Sequence, residues 1–261
     1  MIYIESKENN LFKSLRKLKE RKFRHKENKF ILEGLRLIEE AIKAQMEIEC
    51  LILIEGKENI LGDSALLKEG ISDDKAFTLS KSLFLQLAST ENPQGIIAIV
   101  KNKEFSINLN GDFFLICDKV QDPGNLGTII RTAHAAGIDG IILTKGTVDI
   151  YNDKTIRSTM GSIFYVPIFY DDNEFNIIKS LKENGVALVT TSLNKSKNFF
   201  EEDLRGKIAL AVGNEGNGIS DELFCLADKK VKIPMPGGAE SLNVGVATSI
   251  ILFEKVRQNL I

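Results

Sequence analysis

Three loops in the second half of the chain carry residues whose types and spacing could do chemistry, and each directly follows a strand-like apolar run. After FFLICDKV comes DPGNLGTIIRTA, from Asp122 to Ala133. After KIALAV comes GNEGNG, from Gly213 to Gly218, and after KKVKI comes PMPGGAESLNVGVA, from Pro234 to Ala247. Loops at the carboxyl ends of strands are where open α/β sheets bind ligands. Loops rich in Gly, Asn, Glu, Arg and Ser point to a polar cofactor gripped through backbone groups. They hold no His or Cys cluster, so no metal is expected. A Walker-type phosphate loop needs a Lys after its glycines, and neither the second loop nor the third supplies it. The dinucleotide fingerprint GxGxxG is missing from the first helix after the first strand. His25 and His134 have no partner cluster, and His134, one turn after Arg131, reads as a surface or packing residue.

The elements that must position these loops follow from apolar periodicity. Leu11, Leu15 and Leu18 recur at helical spacing among basic residues, which predicts an amphipathic helix over 11–24. KFILEG reads as a strand, LRLIEEAIKAQ as a helix and CLILIE as a strand. A further helix follows Ser80 as cap, and QGIIAIV closes the region near Val100. That rhythm predicts a small α/β domain over residues 1–100. KNKEFSINLNG is polar and contains turn formers, so 101–111 reads as a linker. Over 112–261 the strands FFLICDKV, DGIILT, FYVPIFY, GVALVTT, KIALAVG and KVKIP alternate with helices, which calls for a mostly parallel sheet covered on both faces. The first of those helices, NLGTIIRTAHAAG, is expected to be capped by Asn125 and stopped at Gly137. Others are expected near Asn152–Ser158, Asn173–Glu183, Ser220–Ala227 and Asn243–Val256.

The 261 residues carry a formal charge of −2, yet residues 1–30 hold ten Lys or Arg against four Glu, a local +6 that leaves −8 elsewhere. Such an arm is either an electrostatic footprint for a polyanion or a solvated helix face. No apolar run approaches membrane-spanning length, and MIYIESKENN lacks the pattern of a signal peptide, so no membrane partner is expected. Cys50, Cys117 and Cys225 are scattered without CxxC spacing, which favours neither a disulfide framework nor zinc. A reduced, cytoplasmic protein is expected.

Together the three loops resemble the SpoU (TrmH-like) branch of the SPOUT RNA ribose methyltransferases. The family's D-P-x-N-x-G-x-x-x-R signature is matched from Asp122 through Asn125 and Gly127 to Arg131. Its G-x-E-G loop is matched by Gly213, Glu215 and Gly216. Its I-P-M-x-G-x-x-x-S-L-N-V signature is matched by Ile233, Pro234, Met235, Gly237, Ser241, Leu242, Asn243 and Val244. More loosely, KFILEGLRLIEEAI, TLSKSLFLQLAS and TENPQGIIAIV are similar to the ribosomal-protein-like, RNA substrate-binding domain often fused to these enzymes. The resemblance implies a C-terminal α/β trefoil-knot domain, a homodimer, S-adenosylmethionine as methyl donor and RNA as substrate. Large-subunit (23S) ribosomal RNA is the preferred target and transfer RNA the alternative. A catalytically silent RNA-binding protein of the same fold is the rival from another class, and methylation of a base is a third reading.

The catalytic set carried over by the resemblance is Asn125, Arg131, Glu215, Ser241 and Asn243. Ribose 2′-O-methylation moves an activated methyl in line to a hydroxyl oxygen, so the protein must position both reactants and assist loss of a proton. The resemblance gives Arg131 the central place. A guanidinium with a pKa above about 12 is a poor base. Arg131 is therefore expected to clamp an RNA phosphate and stabilise the developing alkoxide, while a phosphate oxygen or water takes the proton. Glu215 is expected to orient Arg131 or Asn125. Asn125 either caps its helix or holds the ribose in register; Ser241 and Asn243 either cap the last helix or reach the ribose. Cofactor contacts fall to Thr190, Thr191, Gly213, Asn214, Ile233, Met235 and Leu242, with glycines at 213, 216, 237 and 238 permitting close approach. Arg16, Lys17, Arg21 and Lys22 are the expected RNA phosphate contacts.

Overall fold

The computed structural model describes residues 1–192 and 196–260, apart from the side chain of residue 73. The chain divides into two compact units, one holding Met1–Glu104 and Tyr151–Phe164, the other Phe105–Ile150 and Tyr165–Ile261. The first unit runs β1 (Ile2–Ile4), α1 (Asn10–Lys17), α2 (Arg21–Glu27), β2 (Lys29–Glu33), α3 (Leu35–Lys43) and β3 (Ile48–Ile54). It continues through α4 (Ile60–Asp63), α5 (Ala65–Gly70), β4 (Ala76–Leu79), α6 (Lys81–Leu87) and β5 (Ile96–Lys101). Its strands lie in the order β1-β4-β3-β5-β2. They are parallel from β1 through β4 to β3 and antiparallel where β5 meets β3 and β2. The apolar runs CLILI of β3 and IIAIV of β5 make these strands central, covered on both faces. Strand β1, three residues at the sheet edge, is too short to leave a period-two signature.

The helix expected over 11–24 is two helices. α1 ends at Lys17, and Glu20 is extended (φ −95°, ψ 131°) before α2 begins. A buried guanidinium stabilises the break: Arg24 Nη1 donates to the carbonyls of Leu18 at 2.8 Å and Lys19 at 2.7 Å. Carbonyls at a helix end need such outside partners. Phe12, Leu15 and Leu18 still enter one core with Ile52, Leu83 and Phe84, as the apolar spacing requires.

The chain continues with β6 (Phe113–Cys117), α7 (Pro123–Ala135), β7 (Gly140–Leu143) and α8 (Asp153–Thr159). It then passes through β8 (Ile168–Tyr170), α9 (Asn176–Glu183), β9 (Ala187–Thr191), β10 (Lys197–Asn198), β11 (Ile208–Val212), α10 (Asp221–Leu226), β12 (Lys229–Lys232) and α11 (Val244–Asn259). Seven strands form one sheet in the order β10-β12-β9-β11-β6-β7-β8, every pair parallel. β6 and β11 are buried along their whole length, as their runs FFLIC and IALAV demand. Of FYVPIFY only Ile168–Tyr170 is strand, because Pro167 has no amide to give the ladder. Helix α9 starts later than Asn173, since the carboxylates of Asp171 and Asp172 take the amides of Asn176, Ile177 and Ile178. Helix α8 lies within the expected 112–261 stretch, yet its segment packs with the first unit. There Phe30 stacks on Tyr151 at 4.6 Å and on Phe164 at 6.4 Å.

Candidate active site

Parallel register assembles the loops. Cys117 on β6 faces Val212 on β11, Ala211 faces Thr190 on β9, and Thr191 faces Val231 on β12. Four strands therefore end together and release their loops at one edge. Directly after β6, the fully buried carboxylate of Asp118 fastens that edge. It accepts from Thr144 Oγ1 at 2.7 Å and from the Ser220 amide at 2.7 Å, which offsets the cost of burying a charge. Lys119 follows in the left-handed region (φ 56°), and its carbonyl accepts Asn214 Nδ2 at 3.0 Å. Asn214 Oδ1 in turn takes the amides of Gly216 and Asn217. The side chain of Asn214 is thus committed to shaping the Gly213–Gly218 loop. Asp118 and Thr144 are absent from the sequence-derived set, where only the acid ending an apolar run hinted at them.

Gly213 is required by this loop itself. A Cβ there would lie 2.2 Å from the Gly218 carbonyl carbon and 2.4 Å from the Ile219 nitrogen, so the loop closes only over a glycine. This intramolecular closure is a reason for glycine at 213 in addition to the expected close approach of a ligand.

The closed loop presents Glu215 to α7. Glu215 Oε2 accepts the Gln121 amide at 3.2 Å, and Oε1 accepts the Asp122 amide at 3.1 Å and Asn125 Nδ2 at 3.0 Å. Partial burial pushes this carboxyl up, but the bonds from Asn125 and from backbone amides outweigh it and hold it below the usual carboxylate range. On the other side of Asn125, Oδ1 accepts Asn243 Nδ2 at 2.7 Å. Asn243 Oδ1 caps α11 through the amides of Gly245 at 2.9 Å and Val246 at 3.3 Å. Glu215, Asn125 and Asn243 therefore form one hydrogen-bonded relay ending at the start of α11. Asn125 is not the cap of α7. Asp122 is, accepting the Asn125 amide at 2.8 Å with Pro123 in the first turn. That arrangement releases the Asn125 side chain for the relay.

Other expected residues stand apart from it. Arg131 lies six residues along α7, about 9 Å up the axis and on another face. It is exposed, and no hydrogen bond or ion pair joins its side chain to another described residue. Glu215 therefore holds Asn125, and among the described residues no hydrogen bond or ion pair within the chain joins it to Arg131. Ser241 is exposed in the loop before the α11 cap. Thr190 is fully buried, its hydroxyl directed at the Lys229 carbonyl, while half-buried Thr191 donates to the Ala211 carbonyl at 3.3 Å. Ile233, Met235 and Leu242 are half-buried where the third loop leaves β12 and approaches α11. His134 stacks on Tyr165 at 5.1 Å. No group of metal-holding side chains occurs among the described residues. In the first unit Arg16, Lys17, Arg21 and Lys22 are all exposed.

Comparison with known proteins supplies a family. Residues 112–253 match the model of the SpoU rRNA Methylase family, and residues 9–98 match an MRM3-like substrate binding domain. The 23S rRNA (guanosine(2553)-2′-O)-methyltransferase RlmP of Bacillus subtilis is 39% identical over 97% of this chain and 98% of its own. The 23S rRNA (guanosine-2′-O-)-methyltransferase RlmB of Shewanella oneidensis is 34% identical over 87% of this chain and 97% of its own. Among solved structures, the AdoMet-bound rRNA methyltransferase from Sinorhizobium meliloti superposes with a TM-score of 0.84 at 32% identity, covering 98% of this chain and 97% of that one. A parallel-edge site with a Glu–Asn–Asn relay, the family match over the whole second sheet and relatives aligned end to end lead to one assignment: the chain belongs to the SpoU rRNA methylase family.

Proposed function

We propose that this chain transfers a methyl group from S-adenosylmethionine to a ribose 2′-hydroxyl of RNA, foremost 23S ribosomal RNA. The observation that carries the reading is the Glu215–Asn125–Asn243 relay at the carboxyl edge of the parallel sheet. The lining suits the donor: half-buried Ile233, Met235 and Leu242 offer apolar faces for an adenine, and the Thr191 hydroxyl and the loop backbone offer polar contacts. When bound, the donor supplies an already activated methyl. The chain's own residues do the rest. Glu215 holds Asn125 rigid, and Asn125 and Asn243 each keep one Nδ2 hydrogen for an oxygen of the RNA. Arg131 grips a phosphate and stabilises the oxygen as it loses its proton to a phosphate oxygen or water. Ser241, in the loop just before the α11 cap, meets the ribose. Residues 1–100, joined by the 151–164 segment, serve as the RNA-holding part and the rest of 112–261 as the catalytic part.

A homodimer belongs to the same reading. On α11, Val246 and Phe253 are each 47% exposed on one stripe with Ile250. The adjacent α7 turns Arg131 outward and bonds to α11 through Thr132 and Ser249 at 3.0 Å. A second copy covering this face would bring the outward Arg131 of one protomer to the relay of the other. The trefoil knot is supported by likeness to solved relatives over nearly the whole chain. A cytoplasmic location is supported by the cysteine pattern, and no helix among the described residues is long and apolar enough to cross a membrane.

The test is incubation of the purified chain with S-adenosylmethionine and total RNA from cells lacking the gene, followed by mass analysis of nucleosides and mapping of the site. A 2′-O-methylnucleoside in large-subunit RNA is the expected product. Methylation confined to transfer RNA would change the substrate, and a methylated base would change the chemistry. Cofactor and RNA binding without turnover would leave a silent binding protein.

A further inference from the structure

The first unit contains a cleft of about 360 Å³ that the transfer chemistry does not use. Its volume lies in the range of small-ligand pockets. Leu37 and Ile156 supply apolar walls, and Tyr151 supplies a ring already held in place by stacking on Phe30. Lys19 and Arg24, both from the basic arm, line the same cleft. Arg157 stands at its rim, 38% exposed, positioned by bonds from Nη1 to Ser89 Oγ at 2.9 Å and Asp153 Oδ2 at 3.0 Å. Its Nε and Nη2 hydrogens have no partner among the described residues, so a planar fork of donors is left for an anion. Glu33 lines the cleft as well, and its carboxylate accepts the Ser89 amide and hydroxyl at 2.6 and 2.7 Å and the Thr90 hydroxyl. Those bonds keep the negative charge organised inside the wall.

We propose that this cleft receives one unstacked nucleotide of a single-stranded stretch of the substrate RNA. The base would enter between Leu37, Ile156 and the Tyr151 ring, and a flanking phosphate would meet the Arg157 fork. The combination is that of a nucleotide: a flat apolar body with N–H and carbonyl edges, and an anion at one end. Single-stranded RNA is bound by splaying out bases onto aromatic and apolar surfaces while cations follow the backbone. Here the cations are adjacent in sequence, because the α1–α2 segment carries both the exposed Arg16, Lys17, Arg21 and Lys22 and the wall residues Lys19 and Arg24. The substrate-binding family match stops at residue 98, whereas Tyr151, Ile156 and Arg157 come from the segment around α8. That segment completes a site which residues 9–98 alone would leave open.

The inference rests on the RNA-methylating reading, and its test separates the two. The chain has no tryptophan, so Tyr151→Trp places a single fluorophore in the cleft wall. Titrating that variant with a single-stranded RNA heptamer of mixed sequence should quench its emission saturably, whereas a blunt RNA hairpin stem of equal charge should not. Leu37→Phe, which narrows the cleft, and Arg157→Gln, which keeps a side-chain partner for Ser89, should each weaken heptamer binding about tenfold. Both should leave the melting temperature and S-adenosylmethionine affinity near the parent values. Unchanged heptamer affinity in both folded variants, or equal quenching by the hairpin stem, overturns the cleft. Wild-type rRNA methylation in those variants would then retain the enzymatic reading. Quenching and weakened binding in a protein that methylates no RNA would do the reverse.

Discussion

The two units arrange their polar groups in opposite ways. At the edge of the second sheet the polar groups are tied to one another: Asp118 to Thr144 and Ser220, Glu215 to Asn125, Asn125 to Asn243. On the first unit Arg16, Lys17, Arg21 and Lys22 extend from two short helices into solvent. Reacting atoms must be held within fractions of an ångström, which requires side chains locked by second partners. A surface that follows a phosphate backbone needs charge and little geometry. Arg131 is the exception in the second unit, exposed among locked neighbours, and it is where the contrast is easiest to break.

The largest effect should come from that residue. Arg131→Ala should lower turnover by about a hundredfold or more, comparable to loss of an oxyanion donor, with S-adenosylmethionine binding little changed. Single-turnover methylation near the parent rate would remove Arg131 from the mechanism. Mixing also tests the dimer. If Arg131 acts across an interface, combining Arg131→Ala with Asn125→Ala protomers should restore about a quarter of parent activity, because half the dimers regain one intact site. No restoration would place Arg131 and Asn125 in the same protomer's site.

Next in size, Gly213→Val should displace the 213–218 loop, because its Cβ meets Gly218 backbone at 2.2 Å. Cofactor affinity, turnover and melting temperature should fall together, while heptamer RNA binding persists through the first unit. Calorimetry showing parent cofactor affinity in the folded variant would refute the loop's place at the site.

A smaller, differently shaped effect is expected from the first unit. Changing Arg16, Lys17, Arg21 and Lys22 to Gln should flatten the dependence of log K on log salt by roughly 0.7 to 0.9 for each phosphate that is no longer neutralised. Cofactor affinity should stay unchanged, and specific and unrelated RNA should be affected alike. An unaltered slope would make the arm a solvated helix face.

The smallest effect concerns pH. The Glu215 carboxyl is held below its usual range because its hydrogen bonds outweigh the upward push of partial burial. Its folded-state pKa is depressed, so its stabilising contribution is complete above the ordinary carboxylate value of about 4.3 and is lost as pH falls through the lower folded value. Melting temperatures of parent and Glu215→Gln proteins should therefore differ most near neutral pH and converge in acid. A difference independent of pH would show that the charge contributes nothing.

Much of the site is legible in the sequence because its parts are local. The loops sit next to apolar runs that must be strands, and glycine and asparagine at fixed spacing declare turns and caps. Arg24, by contrast, divides the predicted 11–24 helix through carbonyl contacts that no periodicity reveals. Tyr151 and Phe164 join Phe30 in the first unit although they follow the first strands of the second sheet. Only packing discloses such membership, because an apolar residue's pattern reports that it is buried and not against what.

Residue type and short spacing were enough for the α/β class, the order of the three loops, the basic arm and the family likeness. Long-range packing established that Glu215 bonds to Asn125, whereas the Asp122 cap of α7 and the closure at Gly213 are set within a few residues by backbone geometry. It also brought in Asp118 and Thr144. The physical reason is separation: the relay's bonds join residues 90 and 118 positions apart, and parallel strand register sets which loop polar groups come within about 3 Å of each other.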